Sequence, residues 1–149
     1  MRYSIVREIG KGGMGSVYEG RDLQGNKVAV KMMSKSVTCY PEYRQLFDME
    51  VRTLKKMNNP SIVKILGEPF SDEEGNLYLP MEYVEGETIE QYVAHEGAYS
   101  EEKAKKMMCK ILDALSYIHQ QGSIHRDIKP SNIMIRPSGD ICIIDFGIA

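Results

Sequence analysis

The chain has 149 residues, 42% hydrophobic and 27% charged, which suits a soluble, core-forming protein and excludes the composition of a disordered or fibrous one. A formal net charge of -2 supplies no attraction to nucleic acid or to an anionic membrane, and Lys55-Lys56 and Lys105-Lys106 read as solvated helix faces. Three widely spaced cysteines, Cys39, Cys109 and Cys142, lie outside any Cys-x-x-Cys pattern; they argue against a disulfide framework or zinc site and fit a reducing, cytoplasmic compartment.

The first residues carry no apolar signal core, and no stretch approaches the roughly 20 apolar residues of a membrane span. Residues 3–9, 16–19 and 28–33 alternate as strands, with Gly12-Gly13 and Gln24-Gly25-Asn26 as breaks, predicting an antiparallel sheet. The period then changes. Leu46, Glu50, Leu54 and Met57 fall at i, i+4, i+8 and i+11 and predict one face of a helix over 42–57, ended by Asn58-Asn59-Pro60. Residues 62–66 and 77–81 read as two further strands around the polar turn 71–76, making five strands and one helix.

Beyond Gly86 the pattern is helical, briefly over 88–94 and then over 100–121. In the long run Ala104, Met107, Met108, Ile111, Leu112, Leu115 and Ile118 form an apolar stripe, with Ser100 as N-cap, Glu101 and Glu102 in the first turn and Gly122 just past the end. A polar segment, 123–132, leads to short strands at 133–135 and 141–144 joined by Pro137-Ser138-Gly139-Asp140. Sheet with one helix followed by mostly helix predicts an α+β chain in two lobes, 1–82 and 83–149, meeting near residues 82–86.

Three groups of residues carry chemistry. Gly10-Lys11-Gly12-Gly13-Met14-Gly15-Ser16-Val17 lies between two strands, where glycines let backbone N–H groups approach an anion; read singly, it is equally a flexible hairpin. It fits neither a dinucleotide fingerprint nor a Walker loop, because a strand follows and no Gly-Lys-Ser/Thr closes it. Val28-Ala29-Val30-Lys31 places a lysine in an apolar strand, and Glu50 sits on the helix face that points at the sheet. Ammonium and carboxylate are most cheaply buried as a pair. His125-Arg126-Asp127-Ile128-Lys129-Pro130-Ser131-Asn132, with Asp145-Phe146-Gly147 after it, is the most specific element.

Taken in order, these segments resemble the protein kinase family over residues 5–149, in the eukaryotic-like serine/threonine branch and in wording most like bacterial members. The resemblance implies an antiparallel five-stranded N-lobe with one helix and an incomplete, mainly helical C-lobe, with ATP and Mg²⁺ as cofactors and protein serine or threonine hydroxyls as acceptors. By it the loop from Gly10 through Lys11, Gly12, Gly13, Met14, Gly15 and Ser16 to Val17 covers the ATP phosphates, Lys31 holds the α- and β-phosphates, and Glu50 positions Lys31. Asp127 accepts the substrate proton, Lys129 marks the serine/threonine branch within the catalytic loop, and Asn132 and Asp145 hold magnesium. The adenine is expected between the lobes, under Ile9, Val17 and Ala29 and over Met134 and Ile144, with Met81 behind it and Glu82 and Val84 supplying backbone groups. Arg126 resembles the residue that receives an activation-loop phosphate. Pro80 departs from the family's usual apolar residue and, lacking an N–H, predicts an interrupted ladder there.

His95 and His119 lack acidic or cysteine neighbours at ligand spacing and, with Cys109 and Cys142, are read as packing residues. Two other functions share the plan: a nucleotide-binding pseudokinase or scaffold, which usually lacks Lys31, Asp127 or Asp145, and a small-molecule kinase of the aminoglycoside type. Because the family's activation segment would follow residue 149, this stretch by itself is expected to bind nucleotide, to transfer phosphate poorly and to self-associate through the stripe of the long helix.

Overall fold

The computed structural model describes residues 2–12 and 15–145; Gly13, Met14, Phe146 and Gly147, all named above, lie outside the described residues. The chain forms two compact units, Met1–Lys55 with Lys64–Tyr83, and Lys56–Val63 with Val84–Ala149.

In the first unit, β1 (Ser4–Lys11), β2 (Ser16–Arg21), β3 (Lys27–Met33), β4 (Phe70–Ser71) and β5 (Leu77–Glu82) make one antiparallel sheet in the order β1-β2-β3-β5-β4. Its register sorts the side chains, since residues directly opposed across antiparallel strands share a face. Val17 opposes Lys31, Ala29 opposes Met81 and Lys31 opposes Leu79, so these five line one face. The other face carries Val28, Val30 and Tyr78, with Tyr3, Met32 and Phe70 packed on them.

Residues 62–66 are not a strand. Ile62 bridges Ile143 in the second unit while Ile65 bridges Met81 in the first, so the short apolar run is divided between two partners and builds no continuous ladder. The fifth strand is instead Phe70–Ser71, too short to show a period. The ladder through Pro80 is intact. Pro80 opposes Val30, and its carbonyl accepts from Leu66 N at 3.0 Å. N–H and C=O of one antiparallel residue project to the same side, so the missing N–H belongs on the side away from β3, and the β3–β5 bonds lose nothing.

Two helices complete this unit. α1 (Lys35–Thr38) was not visible in the pattern; α2 (Pro41–Lys56) opens with proline, whose fixed φ suits a first turn. α2 buries Phe47, Glu50, Val51 and Leu54, while Leu46 is only half-buried. Glu50, Leu54 and Met57 of the predicted stripe are buried, and the buried side extends past it to Phe47 and Val51.

In the second unit β6 (Glu87–Thr88), β7 (Ile133–Ile135) and β8 (Ile141–Ile143) form a three-stranded sheet. Gly86 precedes β6 at φ 122°, and a Cβ there would lie 1.9 Å from the Ile135 carbonyl oxygen, so only glycine permits this pairing. α3 (Ile89–Glu96) starts with a capping box between Thr88 and Gln91. α4 (Glu101–Gln120) starts at Ser100, whose hydroxyl accepts from Lys103 N, and is followed by Gly122 at φ 76°.

Of the stripe predicted on α4, Ile111 and Ile118 are buried, together with Ala114; Met108 and Leu112 are 52% and 55% exposed. Cys109 is exposed as well, which corrects its reading as a packing residue, whereas Cys142 is buried. His95 and His119 are also no packing residues; both are exposed. His95 has Glu87 of β6 at 2.6 Å, a neighbour that chain spacing did not show, and the adjacent Glu96 at 3.4 Å. Among the described residues no helix is long and apolar enough to cross a membrane.

Candidate active site

In the first unit, β3 carries Lys31 toward α2, and Lys31 Nζ donates to Glu50 Oε1 at 2.7 Å. Both are largely buried, with side-chain exposures of 13% and 7%, so the two charges are held in one geometry. Val17, Ala29 and Met81 share the face of Lys31. Ile9 and Gly10 stand on the exposed edge strand β1, with Gly10 opposite Val17 and Lys11 opposite Ser16. The glycine loop is closed by Gly12 N donating to the Gly15 carbonyl at 2.8 Å. At Gly15 a Cβ would meet the Met32 carbonyl oxygen at 2.2 Å, so the chain passes β3 more closely than any side chain allows.

The backbone of Glu82 is already partly engaged. Glu82 N donates to the Lys64 carbonyl at 2.8 Å, and the Glu82 carboxylate accepts from Lys64 N at 3.0 Å. The Glu82 amide is therefore engaged, and a contribution of this residue to a base would be its carbonyl.

In the second unit, the turn Pro130–Asn132 buries Asn132, whose Nδ2 donates to Asp127 at both its carbonyl (3.0 Å) and its Oδ2 (3.1 Å). Lys129 Nζ stands 3.5 Å from the same Oδ2. Asn132 is itself fixed, its N–H bound to the Lys129 carbonyl and its carbonyl accepting from Ile144 N. Val84 is buried, Met134 and Ile144 are half-buried, and Asp145 follows directly on β8 and Ile144.

His125 had no assigned role and has a clear position. It is 3% exposed, and its Nδ1 accepts from Asp127 N at 3.1 Å. Burial pushes its pKa below the usual value, which favours the neutral ring able to accept at Nδ1. Between it and Asp127, Arg126 adopts φ 71°, a left-handed conformation uncommon for a non-glycine residue. Backbone angles have no signature in side-chain pattern, so neither feature could be read from the chain. Glu19 is a second omission: it is buried on β2 with Arg7 at 2.9 Å, Arg21 at 3.6 Å and Lys27 at 4.0 Å, a cluster that depends on the irregular register of β1.

For a divalent cation the donor chemistry fits. Because Asn132 spends Nδ2 on Asp127, its remaining side-chain atom is the oxygen Oδ1, and Asp145 adds a carboxylate; both are the hard oxygen donors that magnesium takes.

A sheet whose third strand pairs its lysine with a helix glutamate, and a helical unit whose loop ties an aspartate to an asparagine, are the two parts of the protein kinase fold. The family model described as the protein kinase domain matches residues 3–149, and the chain belongs to that family. A probable serine/threonine-protein kinase PknB of Bifidobacterium longum is 40% identical over 156 residues, covering 99% of this chain and 23% of its own length. Serine/threonine-protein kinase PrkC of Bacillus subtilis is 38% identical, with 99% of this chain and 23% of its own length covered. Serine/threonine-protein kinase PknA of Mycobacterium tuberculosis is 40% identical, with 99% and 35% covered. The chain thus spans about a quarter to a third of the length of these curated relatives.

Proposed function

We propose that the protein carrying this chain is an ATP-dependent protein serine/threonine kinase. The observation that carries this reading is the Asp127 carboxylate, held by Asn132 Nδ2 at 3.1 Å and flanked by Lys129 at 3.5 Å. A fixed carboxylate of that kind suits a general base. In this reading the acceptor hydroxyl oxygen bonds to the γ-phosphorus as the bond to the β,γ-bridging oxygen breaks; ADP leaves, and Asp127 takes the hydroxyl proton. Lys31, kept in place by Glu50, neutralises the α- and β-phosphates, and backbone N–H groups of the glycine loop cover them. Asn132 and Asp145 would hold magnesium, which neutralises phosphate charge when bound. Ile9, Val17, Ala29, Met81, Met134 and Ile144 supply apolar contacts to the base, with the Glu82 carbonyl and the Val84 backbone as its polar partners.

Protein acceptors are favoured by the relatives, which are named as serine/threonine-protein kinases. The cytoplasmic setting rests on the sequence alone, on three widely spaced cysteines outside any paired pattern. For these 149 residues assayed alone the reading is nucleotide binding with little transfer, since no residue here is assigned to hold a protein acceptor. Transfer of radiolabelled γ-phosphate to a generic basic protein, run beside aminoglycoside and other small acceptors, tests the assignment. Label on serine and threonine of the protein is the expected result; label on small molecules alone would replace the reading with a small-molecule kinase.

A further inference from the structure

We propose that the groove between the start of the chain and strand β4 is a docking site for an extended, cationic peptide segment of a partner protein. It lies on the sheet face opposite Lys31 and is separate from the groups assigned to phosphate transfer.

Strand order places β1 and β4 at the two ends of the sheet, and the two do not pair. Yet the Tyr3 ring, immediately before β1, stacks on Phe70 of β4 at 5.7 Å, and Phe70 stacks on Tyr78 of β5 at 5.2 Å. The sheet therefore curls until its ends share a ladder of three rings without closing. The space left there is a groove of about 850 Å³ lined from both ends. A gap beside an unpaired strand edge is where an added strand gains main-chain hydrogen bonds, and exposed edges are otherwise a hazard for the fold. Tyr3 and Phe70, both half-buried, and Leu66, which is 46% exposed, supply apolar contact for alternate side chains of such a strand, while Tyr78 is buried beneath them.

Charge selects the occupant. The lining contains four carboxylates, of Glu68, Asp72, Glu73 and Glu74, and one guanidinium, of Arg2. Lys55 offsets Glu68 at 2.7 Å. Asp72 is pinned by Asn76 and by the Tyr78 hydroxyl, which hold its carboxyl down at about 2, so it is ionised throughout the working range. Glu73 and Glu74 are exposed at the turn. An arginine- or lysine-bearing strand is complementary to this rim, and an acidic one is repelled.

An acetylated, amidated octapeptide alternating arginine with valine is the probe, and its glutamate–valine counterpart the control, titrated by fluorescence anisotropy at low and high salt. The arginine peptide is expected to bind and to weaken as salt rises. Glu73→Lys with Glu74→Lys should weaken it about tenfold, the scale of one to two lost rim charge pairs. Glu101→Lys with Glu102→Lys, an equal charge change on α4, should leave it unchanged. Amide exchange should slow at residues 3–4 and 70–72 on binding. Equal weakening by both double variants, protection elsewhere, or no binding would overturn the proposal. So would concentration-dependent protection of the same amides without peptide, which would make a second copy the occupant.

Discussion

Replacing Asp127 by asparagine keeps the shape of the side chain and removes the group assigned to take the acceptor's proton. Transfer should fall by about 10²- to 10⁴-fold while ATP affinity persists, because a general base acts on the acceptor. Unchanged turnover, measured with isothermal titration of nucleotide alongside, would remove Asp127 from that role. Lys31→Met takes the cation from the 2.7 Å pair and should cost about 10²- to 10³-fold, the scale for one lost charge-stabilising donor. Glu50→Gln keeps a polar contact and should be milder; a silent Glu50→Gln beside a dead Lys31→Met would separate the pair's geometry from its function. At His95 the prediction concerns pH. The hydrogen bond to Glu87 raises the His95 pKa above 6.5, with Glu96 adding to it. A raised folded value gives stability that is complete below 6.5 and is lost as pH rises through the folded value. His95→Gln should therefore lower the denaturation midpoint at about pH 5.5 and leave it unchanged at about pH 9. The reverse order would contradict the pairing.

Among the elements, β6 depends on a single residue. Gly86→Ala puts a Cβ where the Ile135 carbonyl stands, at a φ of 122° that side chains avoid. A loss of about 1–3 kcal/mol is expected, read as a lower midpoint in chemical denaturation; a neutral outcome would mean that β6 and β7 separate without cost. Elements with a full period were legible before the structure. α4 was bounded by Ser100 and Gly122 because a cap and a left-handed glycine have fixed chemistry. β3 and β5 were legible because Val28, Val30, Leu77 and Leu79 satisfy strand composition as well as burial. β4 and β6, two residues each, have no period to read, and α1 is a single turn. On α2 the stripe through Leu46 passed beside Phe47 and Val51, since the side buried is decided by the packing partner. The same limit hid the roles of His125 and Glu19: residue type marked Lys31, Glu50, Asp127 and Asn132, whereas burial and cross-strand register decide what an additional histidine or glutamate does.

For the molecule as a whole, the exposed side of α4 is the feature with a measurable consequence. Met108 and Leu112, 52% and 55% exposed and one helical turn apart, offer an apolar surface that favours contact between copies of this chain. Light scattering is expected to show concentration-dependent association of the 149-residue chain, relieved by Met108→Lys with Leu112→Lys. A monomer at all concentrations would set that surface aside.

The interleaving of the two units adds a constraint that acts before the fold exists. The stretch Lys56–Val63 belongs with residues made much later: Ser61 and Val63 bond to Ile143, about 80 residues downstream. A ribosome adding about 5–20 residues per second takes roughly 4–16 seconds to reach that partner. During this interval Ile62 and Val63, both buried in the folded structure, wait without their partner in β8. A nascent chain stalled after residues 61–63 have left the exit tunnel, and before Ile143 has, should therefore engage chaperones that hold apolar segments, and release them once Ile143 emerges.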